Sequence, residues 1–528
     1  MTSIKEKTAK IISISVLAAA VLASGWMAYL NIDKKPVIED SSDYLDYEFP
    51  DYDMPEVTGT DIDESMVVSP ADLPVESQED QQSVPQTTEV TEEKKTLRYV
   101  RIKIVTNLRA GENTSSDKIA VLKIGTELEL ISGASSRYQV RYAGNVTGWV
   151  PKGCCEVFEK EVIIRHVQKY SSGAPINLKG TTEGDEIGSV FKNYRTMGAS
   201  VAVIENGQVA YRYEYGYANK EKNVKVSENT KFRIASISKV FTSMLAMSAV
   251  DDGKLDLDKN LTDVMGFSFY NPSYSKRPVT ARMLLTHSAG IRDNDNMFKL
   301  KISSVTHNKN FYASPPGTAF LYTNLGMGLA GAVVEKSTDK TISQYAKDRF
   351  FDGMGIDASY NAKYLKDTSL VADCYAGTKI DCSSAYLCRE QEVGDPGATY
   401  HLGQGGLLIS AEDLASVFTI LLNDGQYNGQ QYLSQNAVKE MLTVQQVNTR
   451  KNFEQCIGIR KSKEIISGRD MYYHNGAAYG IFSLMAIDPT DKSGIVIITS
   501  GADTYRKSNT VFSVCNDVIN YCYDEILK

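Results

Sequence analysis

The hydrophobic pattern of the chain divides it into four stretches of different character. Residues 11–30 form a run of 20 residues with no charged side chain. At about 1.5 Å per helical residue such a run reaches roughly 30 Å, the thickness of a bilayer core. Lys5, Lys7 and Lys10 precede it, and Trp26 and Tyr29 lie near its far end. That asymmetry predicts a single-pass anchor over residues 1–35, with a cytoplasmic tip and the rest of the chain outside the cell. A cleaved signal peptide is the alternative, because Val21-Leu22-Ala23 resembles a small-residue cleavage site. Both readings export the remainder, to the outer face of the membrane or as a secreted protein. Over residues 36–96 no apolar period appears, and acidic residues alternate with Pro, Ser, Thr and Gln, as in a disordered, self-repelling spacer.

Residues 97–158 switch to short alternating runs at 99–104, 120–124, 126–131, 138–142 and 148–150, broken by Gly, Ser and Asn. Several short strands at close spacing predict a small all-β barrel. Trp149 reads as part of its core. From residue 161 the pattern is mixed. Runs at 200–204 and 209–215 are β-like and flank Asn206-Gly207, a strong hairpin signal. Helical stretches follow, one with a capped start at Ser410. Strand-like runs return at 472–487 and 494–500, and a last helix is predicted from about 509 to 527. Strands at both ends of a helical middle predict a mixed sheet domain with an inserted helical subdomain, an α+β fold.

Composition refines this picture. With 528 residues, 42% apolar and 23% charged, the chain can bury a large core. The net charge of −8 is uneven, since residues 36–93 hold 18 Asp and Glu and no Lys or Arg. The rest is mildly basic without a Lys/Arg block, so nucleic acid is not an expected partner. The 8 Cys contain no C-x-x-C, and His166, His307 and His401 show no metal-ligand spacing, so no metal or organic cofactor is implied. Cys374, Cys382 and Cys388 cluster, which leaves a disulfide among them or free thiols open. Cys515 and Cys522 lie about 10 Å apart along a helix, too far to pair with each other.

The sharpest chemistry lies in Phe232-Arg233-Ile234-Ala235-Ser236-Ile237-Ser238-Lys239, followed by an apolar helix ending near Gly253. Ser236 is expected at or just inside that helix start, with Lys239 on the same face. A serine hydroxyl needs a base within hydrogen-bond reach, and a desolvated lysine can serve. S-x-x-K alone is a weak signal. Tyr322-Thr323-Asn324 and His474-Asn475-Gly476 follow in order, with Leu284-Leu285-Thr286-His287-Ser288-Ala289-Gly290 ahead of both. Thr286 to Gly290 nearly spells a G-x-S-x-G nucleophile elbow, but its first Gly is missing; a structural turn is the better reading of Ser288. A Ser-His-Asp triad built on His474 is the weaker reading of that residue.

This order and spacing resemble the serine β-lactamase and penicillin-binding superfamily, nearest to class C β-lactamases, D-Ala-D-Ala carboxypeptidases and related esterases. The resemblance implies an antiparallel sheet flanked by helices over residues 161–528. It implies Ser236 as the acylated nucleophile, Lys239 and Tyr322 as proton-transfer groups, and Asn324 as a hydrogen-bond partner of substrate or Lys239. His474 would take the place of a strand lysine. Gly476 would let that strand approach the substrate, and the Ser236 and Ala477 amides would form the oxyanion hole. His474 and Asn475 depart from the usual Lys and Thr, which disfavours a strong β-lactamase. Residues 97–158 resemble the bacterial SH3-like family, through Asn107-Leu108-Arg109-Ala110-Gly111, Ile124-Gly125-Thr126, Tyr138-Gln139-Val140 and Gly148-Trp149-Val150-Pro151. That resemblance implies peptidoglycan as a partner. The expected protein is an exported serine hydrolase acting on D-amino-acyl peptides or esters of the cell wall. A small-molecule esterase, a weak β-lactamase or a non-catalytic wall sensor are the alternatives. Insertions at 292–314 and 361–400 are expected to set specificity.

Overall fold

The computed structural model describes residues 90–142, 146–167, 174–293, 310–389, 394–398, 402–448, 452–507 and 509–527. The expected span at 11–30 and nearly all of the acidic linker lie outside the described residues, as do His307, His401 and parts of both insertions. Among the described residues no helix is long and apolar enough to cross a membrane.

The first described unit is a seven-stranded antiparallel sheet. Its strands are β1 (Val90–Ile102), β2 (Thr106–Arg109), β3 (Lys118–Leu122), β4 (Glu127–Gly133), β5 (Arg137–Tyr142), β6 (Val146–Pro151) and β7 (Cys155–Val167). They pair in the order β3-β2-β6-β5-β4-β1-β7. No hydrogen-bonded pairing joins β3 to β7 among the described residues, so the order is that of an open sheet. Val100, Ile102, Leu108, Leu122, Leu128, Val140 and Val150 form its own apolar cluster. Trp149 is half-buried and lies outside that cluster. β1 and β7 pair over their whole lengths, from Val90↔Val167 to Ile102↔Cys155. Both therefore run past the bounds read from the sequence. Thr91-Glu92-Glu93-Lys94-Lys95 has no apolar alternation, and the backbone ladder with β7 makes it a strand.

The second unit is built on a ten-stranded sheet. Its centre comprises β8 (Gly198–Glu205), β9 (Gln208–Asn219), β10 (Arg460–Ser462), β11 (Met471–Ala478), β12 (Ile481–Asp488) and β13 (Ser493–Ser500). These six follow the antiparallel order β9-β8-β13-β12-β11-β10. Asn206 (φ 53°) and Gly207 (φ 74°) both take left-handed backbone, as a two-residue hairpin turn demands. β8 then pairs with β13, so the beginning and end of the domain meet in mid-sheet.

The central runs of β8 (Val201–Ile204) and β13 (Ile495–Ile498) are continuously apolar because both of their faces are buried. Ala202, Ile204, Val496 and Ile498 join the large core with residues of α2 (Ser238–Asp251), α3 (Asn324–Thr338) and α4 (Ala411–Leu422). Val201, Val203, Ile495 and Ile497 fill the opposite side, where α1 (Thr182–Asn193) and α5 (Ser513–Tyr521) pack. Ser410 caps α4 by accepting from the Asp413 amide, as its sequence predicts. α5 starts later than position 509. The Asn509 side chain accepts from the Val511 amide and Thr510 sits at φ 67°, a turn incompatible with helix. α2 is the central helix, buried from Ser238 to Ala249. Burial of Phe241, Met244, Leu245 and Met247 each contributes roughly 1.5–3 kcal/mol. That burial fixes α2 and, with it, the residues at its N-terminus.

Candidate active site

Phe232–Arg233 pairs with Leu408–Ile409, and the chain then turns sharply at Ala235, whose φ is 52°. Left-handed backbone at a non-glycine residue costs about 1 kcal/mol. It places Ser236 in a short turn, Ala235–Ile237, immediately ahead of α2 rather than inside the helix. Two bonds hold this turn: the Ile234 amide donates to the Leu407 carbonyl at 3.1 Å, and Ser483 Oγ donates to the Ile234 carbonyl at 3.1 Å. Ser236 is half-buried, whereas Lys239, one turn on, is fully buried.

Lys239 Nζ lies 2.9 Å from Ser236 Oγ, 2.8 Å from Asn324 Oδ1 and 2.6 Å from the Gln404 carbonyl. The last two are acceptors only. They engage two N–H bonds of the amine, so in its neutral form the remaining lone pair faces the serine hydroxyl. Tyr322 donates to Ser236 Oγ at 3.0 Å. Tyrosine, serine and lysine thus form one hydrogen-bonded line. Burial, the largest influence, holds Lys239 below the ordinary ammonium range against an opposing pull from Tyr322. Burial alone would raise Tyr322, but the charges of Lys239 and Arg460 and the bond to Ser236 outweigh it, and its phenol falls below the usual value.

Two further residues position this set. Asp293 accepts from the Asn324 and Leu325 amides (3.0 and 2.8 Å), from Thr323 Oγ1 (2.7 Å) and from Asn324 Nδ2 (3.1 Å). It occupies the positive N-terminus of α3 and turns the Asn324 amide so that its oxygen meets Lys239. His287 packs against Tyr322 with ring centroids 4.5 Å apart and the ring planes tilted by 38°, and its Nδ1 accepts from the Thr323 amide at 3.3 Å. Ser288 is buried and bonded to Thr286, which makes the Leu-Leu-Thr-His segment a support for the Tyr-x-Asn loop.

Residues 163–512 match the family model described as Beta-lactamase. The chain belongs to the beta-lactamase family of serine hydrolases. Protein flp of Staphylococcus aureus (strain NCTC 8325 / PS 47) is 23% identical over 319 residues, a match covering 57% of this chain and 59% of that protein. A class C beta lactamase from Rhodobacter sphaeroides shares the fold at a TM-score of 0.53 and 18% identity, over 66% of this chain and 100% of the other. The D-amino acid amidase from Ochrobactrum anthropi SV3 does so at 0.51 and 22%, over 65% and 100%.

Within this beta-lactamase fold, β11 brings His474, Gly476 and Ala477 beside the Ser236 turn. β10 pairs with β11 only as far as Tyr473, so no strand pairs that edge from His474 onward among the described residues. His474 does not supply a cation. It is buried, and burial followed by the charges of Arg460 and Lys239 holds it well below the usual imidazole range. Its Nδ1 donates to the Asn475 carbonyl at 2.6 Å, so no carboxylate completes a triad there. The positive charge sits instead on Arg460 of β10, which is also buried. Its guanidinium lies over Tyr322 (5.3 Å to the ring centroid) and Phe453 (4.8 Å), and its Nε has no hydrogen-bond partner. Sequence reasoning missed both Arg460 and Asp293.

Gly476 meets a demand of the protein's own backbone. A Cβ there would lie 2.6 Å from the Ile234 carbonyl and 3.3 Å from Ala235 Cβ. Gly476→Ala is expected to push β11 off the nucleophile turn, costing about 1–3 kcal/mol of stability and most of the activity. Thermal unfolding and ester hydrolysis measured together check this; an active variant of unchanged stability would contradict it. Among the described residues no group of three or more His, Cys, Asp or Glu side chains could hold a metal ion.

Proposed function

We propose that the chain is an exported serine hydrolase that passes an acyl group from D-amino-acyl peptides or esters of the bacterial envelope to water, through an ester on Ser236. The line Tyr322–Ser236–Lys239 carries this reading. Neutral Lys239 accepts the Ser236 proton as Oγ attacks the substrate carbonyl. The amides of Ser236 and Ala477 stabilise the oxyanion. The phenol of Tyr322 gives its proton to the leaving group and regains one from the Lys239 ammonium; the pair then takes a proton from the water that cleaves the ester and returns one to Ser236 Oγ. Arg460, a buried cation with an unpartnered donor beside this line, supports a substrate with a free carboxylate near the scissile bond. The shared fold with a D-amino acid amidase supports a D-amino-acyl substrate. The anchor at 11–30 would hold the enzyme at the membrane with its catalytic domain outside, and the seven-stranded unit would be an SH3-like module bound to peptidoglycan.

Two measurements test this reading. A charge-assisted bond to a desolvated cation is worth about 1.5–3 kcal/mol. Arg460→Met, which keeps the ring packing, is therefore expected to raise KM about 10- to 100-fold for a D-amino-acyl substrate with a free carboxylate, and to leave its methyl ester nearly unaffected. Equal changes for both would remove Arg460 from recognition.

The pH profile gives the second. Because the amine must be unprotonated to act, kcat/KM is expected to rise with pH through a limb below the ordinary lysine value of about 10.4. Tyr322 holds a proton on Lys239, so in Tyr322→Phe the limb moves to lower pH. His474 and His287 are already neutral at neutral pH. A limb centred near the ordinary imidazole value would point to a histidine base instead.

A further inference from the structure

A small hairpin, Cys374–Ala376 and Lys379–Cys382, turns through Gly377 and Thr378. Cys374 and Cys382 are direct cross-strand partners, with a register irregularity just after Cys374. Opposed residues of an antiparallel pair have Cα atoms about 4.5–5.5 Å apart. A disulfide spans roughly 4.4–6.8 Å. Both side chains are buried, and the two thiols interact directly. Cys388, the third cysteine of the cluster, points elsewhere, with its Sγ 3.8 Å from the Thr368 carbonyl.

This hairpin sits against the turn that follows the active-site strand β11, and against β12 and β13. Tyr479 and Gly480 form the turn that ends β11, two residues beyond Ala477. A Cβ on Gly480 would collide with the Tyr375 carbonyl, and one on Gly501 with the Gly377 carbonyl. The Tyr375 amide donates to Ser500 Oγ at 2.9 Å, and Tyr375 OH accepts from the Lys220 amide at 2.8 Å. Tyr479 is 40% exposed and held at φ 53°, a strained conformation for a bulky residue. Arg233, three residues before Ser236, stacks on its ring at 5.0 Å. The same guanidinium acts electrostatically on both thiols. Hairpin, Tyr479 and nucleophile turn are therefore one packed unit.

We propose that Cys374 and Cys382 are a redox-sensitive pair whose disulfide clasps this hairpin and so braces the Tyr479 wall of the active site. The oxidant is a low-molecular-weight disulfide. Cys382, the more exposed of the two and the one held below its ordinary thiol value by Cys374, attacks as the thiolate. The external S–S bond breaks, a mixed disulfide forms on Cys382, and one thiolate leaves. Cys374 loses its proton and attacks Cys382 Sγ, expelling the second thiolate. The two protons lost by the protein end on the two released thiols, and two electrons pass to the external disulfide. The closed loop is short, so its gain in chain entropy is at the low end for disulfides, and the main consequence is local.

The test uses the full chain treated with oxidised glutathione, unfolded in denaturant and alkylated with N-ethylmaleimide without reduction. Two fewer maleimides than on the reduced chain, and a linked peptide joining Cys374 to Cys382, are expected. Maleimide on both residues, or a link to Cys388, would overturn the pairing. Reduction of the oxidised wild type is then expected to raise KM several-fold, with no response in the C374S/C382S variant. A mapped disulfide whose reduction leaves KM unchanged would overturn the bracing role. The mapping does not depend on hydrolysis, so its failure is distinguishable from failure of the proposed activity.

Discussion

Lys239→Met is expected to lower kcat/KM for an activated ester by about 10³-fold at neutral pH, within the range that positioned general bases contribute. The amine is fully buried and bonded to Ser236, Asn324 and Gln404. Methionine matches its length, so the helix keeps its packing, while the Asn324 and Gln404 oxygens lose a donor. What is lost is the acceptor for the serine proton. Tyr322 cannot replace it, because its hydroxyl is placed to donate to Ser236 Oγ. Unchanged secondary structure with the rate loss supports this assignment. A loss under tenfold would transfer the role of base to another group.

Ser236→Ala is expected to cost more, about 10⁴-fold or beyond, because no other hydroxyl shares its position between Lys239 and Tyr322. Ser238, two residues on, is fully buried and accepts from the Leu407 amide at 3.2 Å, so it serves the fold. The alanine chain should fold normally, since the Ala235–Ile237 turn is held by Leu407 and Ser483 through the backbone of Ile234. The residual rate, compared with buffer alone, measures what the remaining site does without covalent catalysis.

The features legible in the sequence were those set by local chemistry. Asn206-Gly207 specifies its hairpin through left-handed backbone, and Ser410 caps α4 through an oxygen placed to meet the Asp413 amide. Ser236, Lys239, Tyr322 and Asn324 were legible as a set because their motifs occur in order, and the structure brings all four within hydrogen-bond reach. The features that were not legible arise from tertiary placement. Nothing in Ile459-Arg460-Lys461 marks Arg460 as buried; pairing of β10 with β11 puts it over Tyr322. Asp293 gains its role only where α3 begins beside it. That His474, in the place of a strand lysine, is mostly uncharged was legible from its residue type; its burial, which lowers it further, was not. β1 escaped notice over its first residues because its polar segment is held by backbone pairing with β7.

The most direct test of the central claim is intact-mass analysis of the full chain after exposure to a fluorophosphonate, with Ser236→Ala as control. One phosphonyl adduct, mapped to Ser236 and absent from the alanine variant, is the predicted result. An adduct on another serine such as Ser288, or none in a chain shown to be folded, would contradict an active nucleophile at Ser236.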